Sequence, residues 1–290
     1  MWAVAVGFLL VVFLVLDWRN YLRAPKAVRR ALTEPPDHWR FAGGFNLVFL
    51  GVILAAIFVK RPPYLREGLM LLAALASYRL TPPSIHQANH FSLHPIREVA
   101  VLFLGIFATM MPALDWLQSN GAKLGSPSLS ACYWSCGFLS SVLDNAPTYL
   151  TFMKAISGTL ISPEMMGQLK QLARQPSVDP AALVEPVRAA WLMLQRHHAG
   201  ALQSGQVTLE QIEIAYLLAN SSLARYVVGI SVSAVFFGAN TYIGNGPNFM
   251  VKSMADHQNV HTPSFVRYMT HYTVPIMLPM LALVWWLFFR

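Results

Sequence analysis

Residues 129–161 form one long apolar run with a carboxylate and a proline at its centre, in Ser140-Ser-Val-Leu-Asp-Asn-Ala-Pro-Thr-Tyr149. As a single helix the run would measure about 50 Å, against a hydrocarbon core of about 30 Å. Split at Asp144–Pro147, each arm is about 22 Å, too short to span. A re-entrant helical hairpin satisfies both lengths: it turns near the midplane and leaves by the face it entered. Non-helical backbone at that depth is tolerated only where protein or a watery cavity surrounds it. An ionisable residue there marks a functional site. Asp144 and Asn145 are good N-caps, and Pro147 suits the first turn of the following helix. That helix would point its free N–H groups and positive dipole end at the midplane. The competing reading is a kinked bundle helix with Asp144 paired to a base; the shortness of both arms counts against it.

A second break repeats the signal. Gly238-Ala-Asn-Thr-Tyr-Ile-Gly-Asn-Gly-Pro-Asn248 interrupts another apolar segment, and Asn245-Gly246-Pro247 echoes Asn145-Ala146-Pro147. Gly238, Gly244 and Gly246 supply permissive backbone, and Pro247 restarts a helix. Asn145, Thr148, Asn240, Thr241, Asn245 and Asn248 offer neutral oxygens beside the Asp144 carboxylate. One carboxylate with many neutral oxygens is the ligand set of a small hard cation such as Na⁺, with Asp144, Asn145 and Asn245 as candidate ligands. Taken alone, Gly-Asn-Gly-Pro is also a common surface turn.

Only 12% of the 290 residues are charged and 55% are hydrophobic, where a soluble domain carries about 25% charged residues. This is the composition of an all-α, multi-pass membrane protein of the cell inner (cytoplasmic) membrane, with the lipid bilayer as its partner. The net charge of +8 is therefore read loop by loop as topology and not as a nucleic-acid footprint. Cys132 and Cys136, four apart on one arm, read as small packing residues.

The domain organisation follows in chain order. Residues 1–16 make an apolar segment of about 22 Å, the end of a spanning helix. Residues 17–40 are a basic linker with Arg19, Arg23, Lys26, Arg29, Arg30 and Arg40, hence cytoplasmic. Residues 41–117 hold three transmembrane helices, with an outer loop at Lys60-Arg-Pro-Pro63. His86, His90 and His94 in their cytoplasmic loop have metal-face spacing, but the bracketing prolines favour a plain polar loop. Residues 118–161 are an outer loop, carrying Lys123, and the hairpin. Residues 162–213 are a polar outer insert in which Leu183, Val187, Trp191 and Leu194 make an apolar stripe. An interfacial helix is the preferred reading, with a small extramembrane helical pair as the alternative. Residues 214–256 are a discontinuous transmembrane helix, and residues 257–290 a final one, kinked at Pro275 and Pro279. Arg225 is expected to snorkel at the outer interface, where Trp285 and Trp286 suit the aromatic belt.

Broken elements meeting at the midplane mark secondary transporters built from inverted repeats. These residues, in this order, resemble the ion transporter superfamily, and within it bacterial sodium:proton antiporters and citrate transporters of the citrate–metal/proton symporter type. The Ser140–Tyr149 stretch and Gly238–Val251 look like that family's C-terminal motifs, and Pro95–Met110 like a third. The likeness covers nearly the whole chain, the insert least. It implies one inverted-repeat unit, a transporter and not an enzyme, and a homodimer. Members also carry an N-terminal half with its own hairpin and a Thr-Pro-Leu-Gly-Asp-Pro-Pro-like stretch. This sequence matches from the last helix of that half, so the other repeat is expected from a longer chain or a separate subunit.

The expected function is Na⁺/H⁺ antiport, with Asp144 alternating between a proton and a cation site and with no cofactor beyond those ions. The alternative is a cation- or proton-coupled citrate or carboxylate transporter, its substrate held at the helix N-termini behind Pro147 and Pro247. A further alternative is an inactive half-transporter. An intramembrane protease would need two facing aspartates or a Ser/His pair, and only Asp144 is placed for it.

Overall fold

A computed structural model of the chain describes residues 1–26, 43–59, 62–89, 91–120, 125, 127–174, 180–257 and 260–290. Arg29, Arg30, Arg40, Lys60, His90 and Lys123 lie outside the described residues. Among the described residues there is helix and no strand. The chain divides into two compact units, residues 17–94 and residues 1–16 with 95–290.

α1 runs Trp2–Arg23, so the helix continues past the apolar run at Leu16 and through Arg19. Its 22 residues make about 33 Å, long enough to cross a membrane, where residues 1–16 alone were read as part of a span. No Pro interrupts it, its one glycine, Gly7, lies well before Leu16, and the polar turn at its end costs a helix little.

In the smaller unit, α2 (Asn46–Ala56) and α3 (Leu65–Leu80) pack on each other and α4 (Pro83–Ala88) follows. Asn46 ties the pair: its Oδ1 accepts from Ser77 Oγ at 3.1 Å and Thr81 Oγ1 at 3.0 Å. α2 has 11 residues, shorter than the span expected over residues 41–59. His86 Nε2 lies 3.1 Å from the Tyr78 carbonyl, and its ring packs between Tyr78 and Phe91. His86 is thus a packing residue, and no group of three or more His, Cys, Asp or Glu side chains among the described residues is placed to hold a metal ion.

The larger unit carries α5 (His94–Asn120), α6 (Leu129–Ser140), α7 (Asn145–Leu160), α8 (Pro163–Arg174), α9 (Val187–Gln203), α10 (Leu209–Ala219), α11 (Ser221–Phe237), α12 (Gly246–His257) and α13 (Phe265–Phe288). α1, α11 with its extension to Asn240, and α13 are long and apolar enough to cross a membrane. α6 and α7 are not: 12 and 16 residues make about 18 and 24 Å.

α6 and α11 run side by side in the same direction. Tyr226 Oη donates to the Pro127 carbonyl at 3.2 Å, Cys136 Sγ to that of Ile230 at 3.7 Å, and Ser140 Oγ to that of Ala234 at 2.5 Å. Small residues permit the approach, as they do where helices pack in lipid. A Cβ on Gly137 would stand 2.5 Å from the Phe237 ring, and one on Gly229 3.2 Å from Leu129. α7 leaves the turn and packs on α11 as well, so α6 and α7 form a hairpin with both arms against one helix. α13 closes the other side. Tyr133 Oη donates to the Leu281 carbonyl at 3.1 Å, and Trp285 Nε1 to Ser130 Oγ at 3.0 Å. Trp285 is therefore tied into the protein while Trp286 stays exposed. Arg225 donates to the carbonyls of Phe288 and Arg290 at the end of α13, a C-terminal cap.

The insert folds onto this unit. Val187, Trp191 and Leu194 are buried in one core with Leu169, Ile212, Met153 and Ile156. The apolar stripe thus meets protein in place of the lipid surface the sequence suggested, because α8 and α10 cover it. Thr208 and Gln211 form a capping box that starts α10, whose Glu213 accepts from Lys154 of α7 at 3.2 Å.

Candidate functional site

Two helix breaks meet in the larger unit. α6 stops at Ser140, residues 141–144 turn, and Asp144 takes extended backbone (φ −61°, ψ 152°) as the N-cap of α7. α11 stops at Phe237 and passes through a 3₁₀ turn, Gly238–Asn240, before extended backbone at Thr241. α12 then starts at Gly246, where Asn245 Oδ1 accepts from the Asn248 N–H at 2.9 Å. Each break so ends in a helix N-terminus with a side-chain cap, as Asn-small-Pro predicts.

The Asp144 carboxylate joins the two. Oδ1 accepts from the Ala146 N–H of α7 at 3.3 Å, and Oδ2 from the Gly246 N–H of α12 at 2.9 Å. One negative group therefore sits across two helix N-termini, each a source of unpaired N–H groups and positive potential. Asp144 is half-buried.

Ser141 is the hub of the crossing. Its carbonyl accepts from Thr241 Oγ1 at 2.5 Å and its hydroxyl from Asn240 Nδ2 at 2.9 Å. The hydroxyl proton goes to the Gly137 or Phe237 carbonyl, at 3.1 and 3.3 Å. Asn145, with its amide nitrogen turned inward, donates to the Ala234 carbonyl at 2.8 Å and reaches the Gly244 carbonyl at 3.3 Å. The glycines are where the two chains touch. A Cβ on Gly238 would lie 2.2 Å from the end of the Asn145 amide; one on Gly244 would lie 2.6 Å from the Gly238 carbonyl and 3.0 Å from that of Ser141. A Cβ on Gly246 would lie 3.3 Å from the Phe103 ring of α5.

Asp144, Asn145, Asn240, Thr241 and Gly246 are thus brought together. Asn240 is 2% exposed and its Oδ1 has no hydrogen-bond partner among the described residues. Thr148 is buried, and its hydroxyl goes to the Asp144 carbonyl at 3.0 Å, within its own helix. Asn248 Nδ2 reaches the Gly238 carbonyl at 3.3 Å, so Asn245 and Asn248 order the second break from its far side. Pro147 is buried, while Pro247 is exposed at the start of α12.

Four contributors were not assigned from the sequence. Ser140 and Ser141 lie inside the first motif, but serines in an apolar helix read as ordinary packing residues. Thr273 donates its hydroxyl to the Asn240 carbonyl, and Tyr268 Oη donates to that of Ala239 at 3.1 Å. Both come from α13, where Met269–Met277 is π-helical around Pro275. The helix is widened around Pro275, where a kink was expected, and Thr273 of this stretch faces the break; such widened turns recur at functional sites.

The family described as "Putative citrate transport" matches residues 1–289. The chain belongs to that family. No curated protein and no solved structure matches it. The family assignment makes the chain a membrane transport protein and not an enzyme, and its description sides with the carboxylate reading over sodium–proton exchange.

Proposed function

We propose that this protein is a secondary transporter of citrate or a related carboxylate, coupled to a cation or a proton. The observation that carries the reading is the Asp144 carboxylate lying across the N-termini of α7 and α12. Two helix N-termini aimed at one point bind an anion well, and Asp144 takes that place from within the chain. A proton or cation on Asp144 reduces its charge and frees N–H groups for a substrate carboxylate. Substrate and coupling ion then favour each other's binding, which is the condition for moving together. With α6 and α7 each too short to span, the hairpin is read as re-entrant, its turn within the membrane and surrounded by α11 and α13.

A second reading, Na⁺/H⁺ exchange, has its own support. The buried Asn240 Oδ1 has no hydrogen-bond partner among the described residues, and a neutral amide oxygen is the kind of donor a Na⁺ ion takes. Both readings use Asp144, so one experiment separates them. The purified chain is reconstituted into vesicles, and radiolabelled citrate uptake and proton flux are followed under imposed Na⁺ and pH gradients. Gradient-dependent citrate uptake is expected, with Asp144→Asn lowering it at least about 30-fold, the equivalent of about 2 kcal/mol for a lost charged hydrogen-bond acceptor. Proton flux on adding Na⁺ without citrate movement would transfer the assignment to exchange. Asp144→Asn working at the wild-type rate would sink both.

A further inference from the structure

Neither break contains an Arg or a Lys, yet a tricarboxylate carries up to three negative charges. Beside the second break lies a cavity of about 550 Å³ whose wall includes Tyr242, Lys252, Asp256, His261, Thr262 and Arg267. A second cavity of about 420 Å³ shares Tyr242, Lys252 and Asp256 and reaches Glu98 of α5. Tyr242 belongs to the break itself. Its ring packs edge-on against Phe265 at 5.5 Å, and Lys252 Nζ lies 5.5 Å from its centre. So one residue of the break is also a wall of a chamber that collects two permanent cations and an imidazole.

Lys252 is held by a carboxylate of the chain. Its Nζ lies 2.5 Å from Asp256 Oδ2, and Thr262 Oγ1 donates to Asp256 Oδ1 at 2.8 Å. Lys252 and Asp256 are four apart on α12, and as a plain helix-surface pair they would matter little. Three features set them apart: the Lys252 side chain is only 22% exposed, its cavity is large enough for a six-carbon acid, and Arg267 lines the same wall.

We infer that this chamber is a carboxylate-binding approach site, in which Lys252 and Arg267 receive a di- or tricarboxylate before it reaches the break. Asp256 marks the position of one substrate carboxylate and yields Lys252 to it by exchange of ion-pair partners. Arg267 takes a second carboxylate through its planar fork. Thr262 and His261 supply neutral hydrogen bonds. The inference rests on the carboxylate reading, and adds where the charges are met.

The test uses the full chain in vesicles, with Lys252→Gln, Arg267→Gln, their double variant and the conservative Arg267→Lys. Each Gln variant is expected to raise the KM for citrate about tenfold, as loss of a cation that gathers an anionic substrate does. The maximal rate stays within about twofold, and Arg267→Lys, which keeps the charge but loses the fork, recovers only part of the affinity. An unchanged KM, or a fall in maximal rate alone, overturns the proposal. A wild-type protein that takes up no citrate overturns the carboxylate reading instead. The chamber is then judged by thermal unfolding in detergent: a citrate-dependent rise that the double variant loses supports it, and no such rise rejects it.

Discussion

The two breaks carry the same Asn-small-Pro signature but are built in opposite ways. The first, residues 141–144, has no glycine, and it acts through side chains and one carboxylate. The second, from Gly238 to Asn245, is longer, and beside the Asn240 and Thr241 side chains it acts mainly through backbone: a Gly246 N–H for Asp144, carbonyls of Gly238, Ala239 and Asn240, and three glycines where a Cβ would collide or crowd. The difference follows from which chain approaches which. α6 and α11 already lie close along their length, so the breaks come together within touching distance. The second break gives up its side chains at Gly238, Gly244 and Gly246, where the chains come closest, and keeps those of Asn240 and Thr241 for Ser141; this lets a single carboxylate of the first break reach the amides of both helices.

The sharpest way to break this comparison is to return a side chain to the second break. Gly244→Ala would drive a methyl group into three backbone carbonyls, those of Gly238, Ser141 and Ser140, which cannot rotate away. A loss of about 3 kcal/mol is expected in thermal unfolding, with uptake abolished. Gly238→Ala meets chiefly the end of the Asn145 side chain, which can move, so its cost should be about 1 kcal/mol. Equal costs for the two would mean that the breaks do not touch as described.

A smaller effect sharpens the assignment of Asn240. Asn240→Ala removes both the hydrogen bond to Ser141 and the unpartnered buried oxygen. The first costs about 1 kcal/mol and the second offsets part of it, so stability should change little. The cation concentration for half-maximal uptake should instead rise about tenfold, since a ligand worth about 1.4 kcal/mol is gone. An unchanged cation dependence would remove Asn240 from the ligand set. Smallest of all, Thr273→Val deletes one hydroxyl bond to the Asn240 carbonyl. About 0.5–1 kcal/mol of stability should be lost, with uptake kept, as expected of a brace and not a ligand.

Much of the site was legible in the sequence because its signals act within a turn. An N-cap, a proline and a glycine each impose conformation on their neighbours whatever else the chain does. That is why a helix was expected to start at Asp144 and another to restart at Pro247, and helices are found to start there. Signals that depend on packing were not legible. Ser141 and Thr273 are ordinary residues in apolar helices, and they matter only because Asn240 arrives beside both. The stripe Val187, Trp191 and Leu194 has the same pattern whether lipid or protein covers it; the structure places it in the protein core. The Lys154–Glu213 pair was hidden for a related reason. Its partners are 59 residues apart, and a lone lysine on a short arm carries no local mark of its carboxylate.

The sequence by itself determined that the chain is helical and membrane-embedded, and that two of its apolar segments must break at Asp144–Pro147 and at Gly238–Asn248. Hydrophobic length and backbone chemistry are local, so they can be read residue by residue. Only the tertiary structure decided that the breaks meet, that Ser141 stands at their crossing and that one carboxylate caps two helices. Those contacts join residues about 100 positions apart, and they exist because small side chains let α6 and α11 lie against each other along their length.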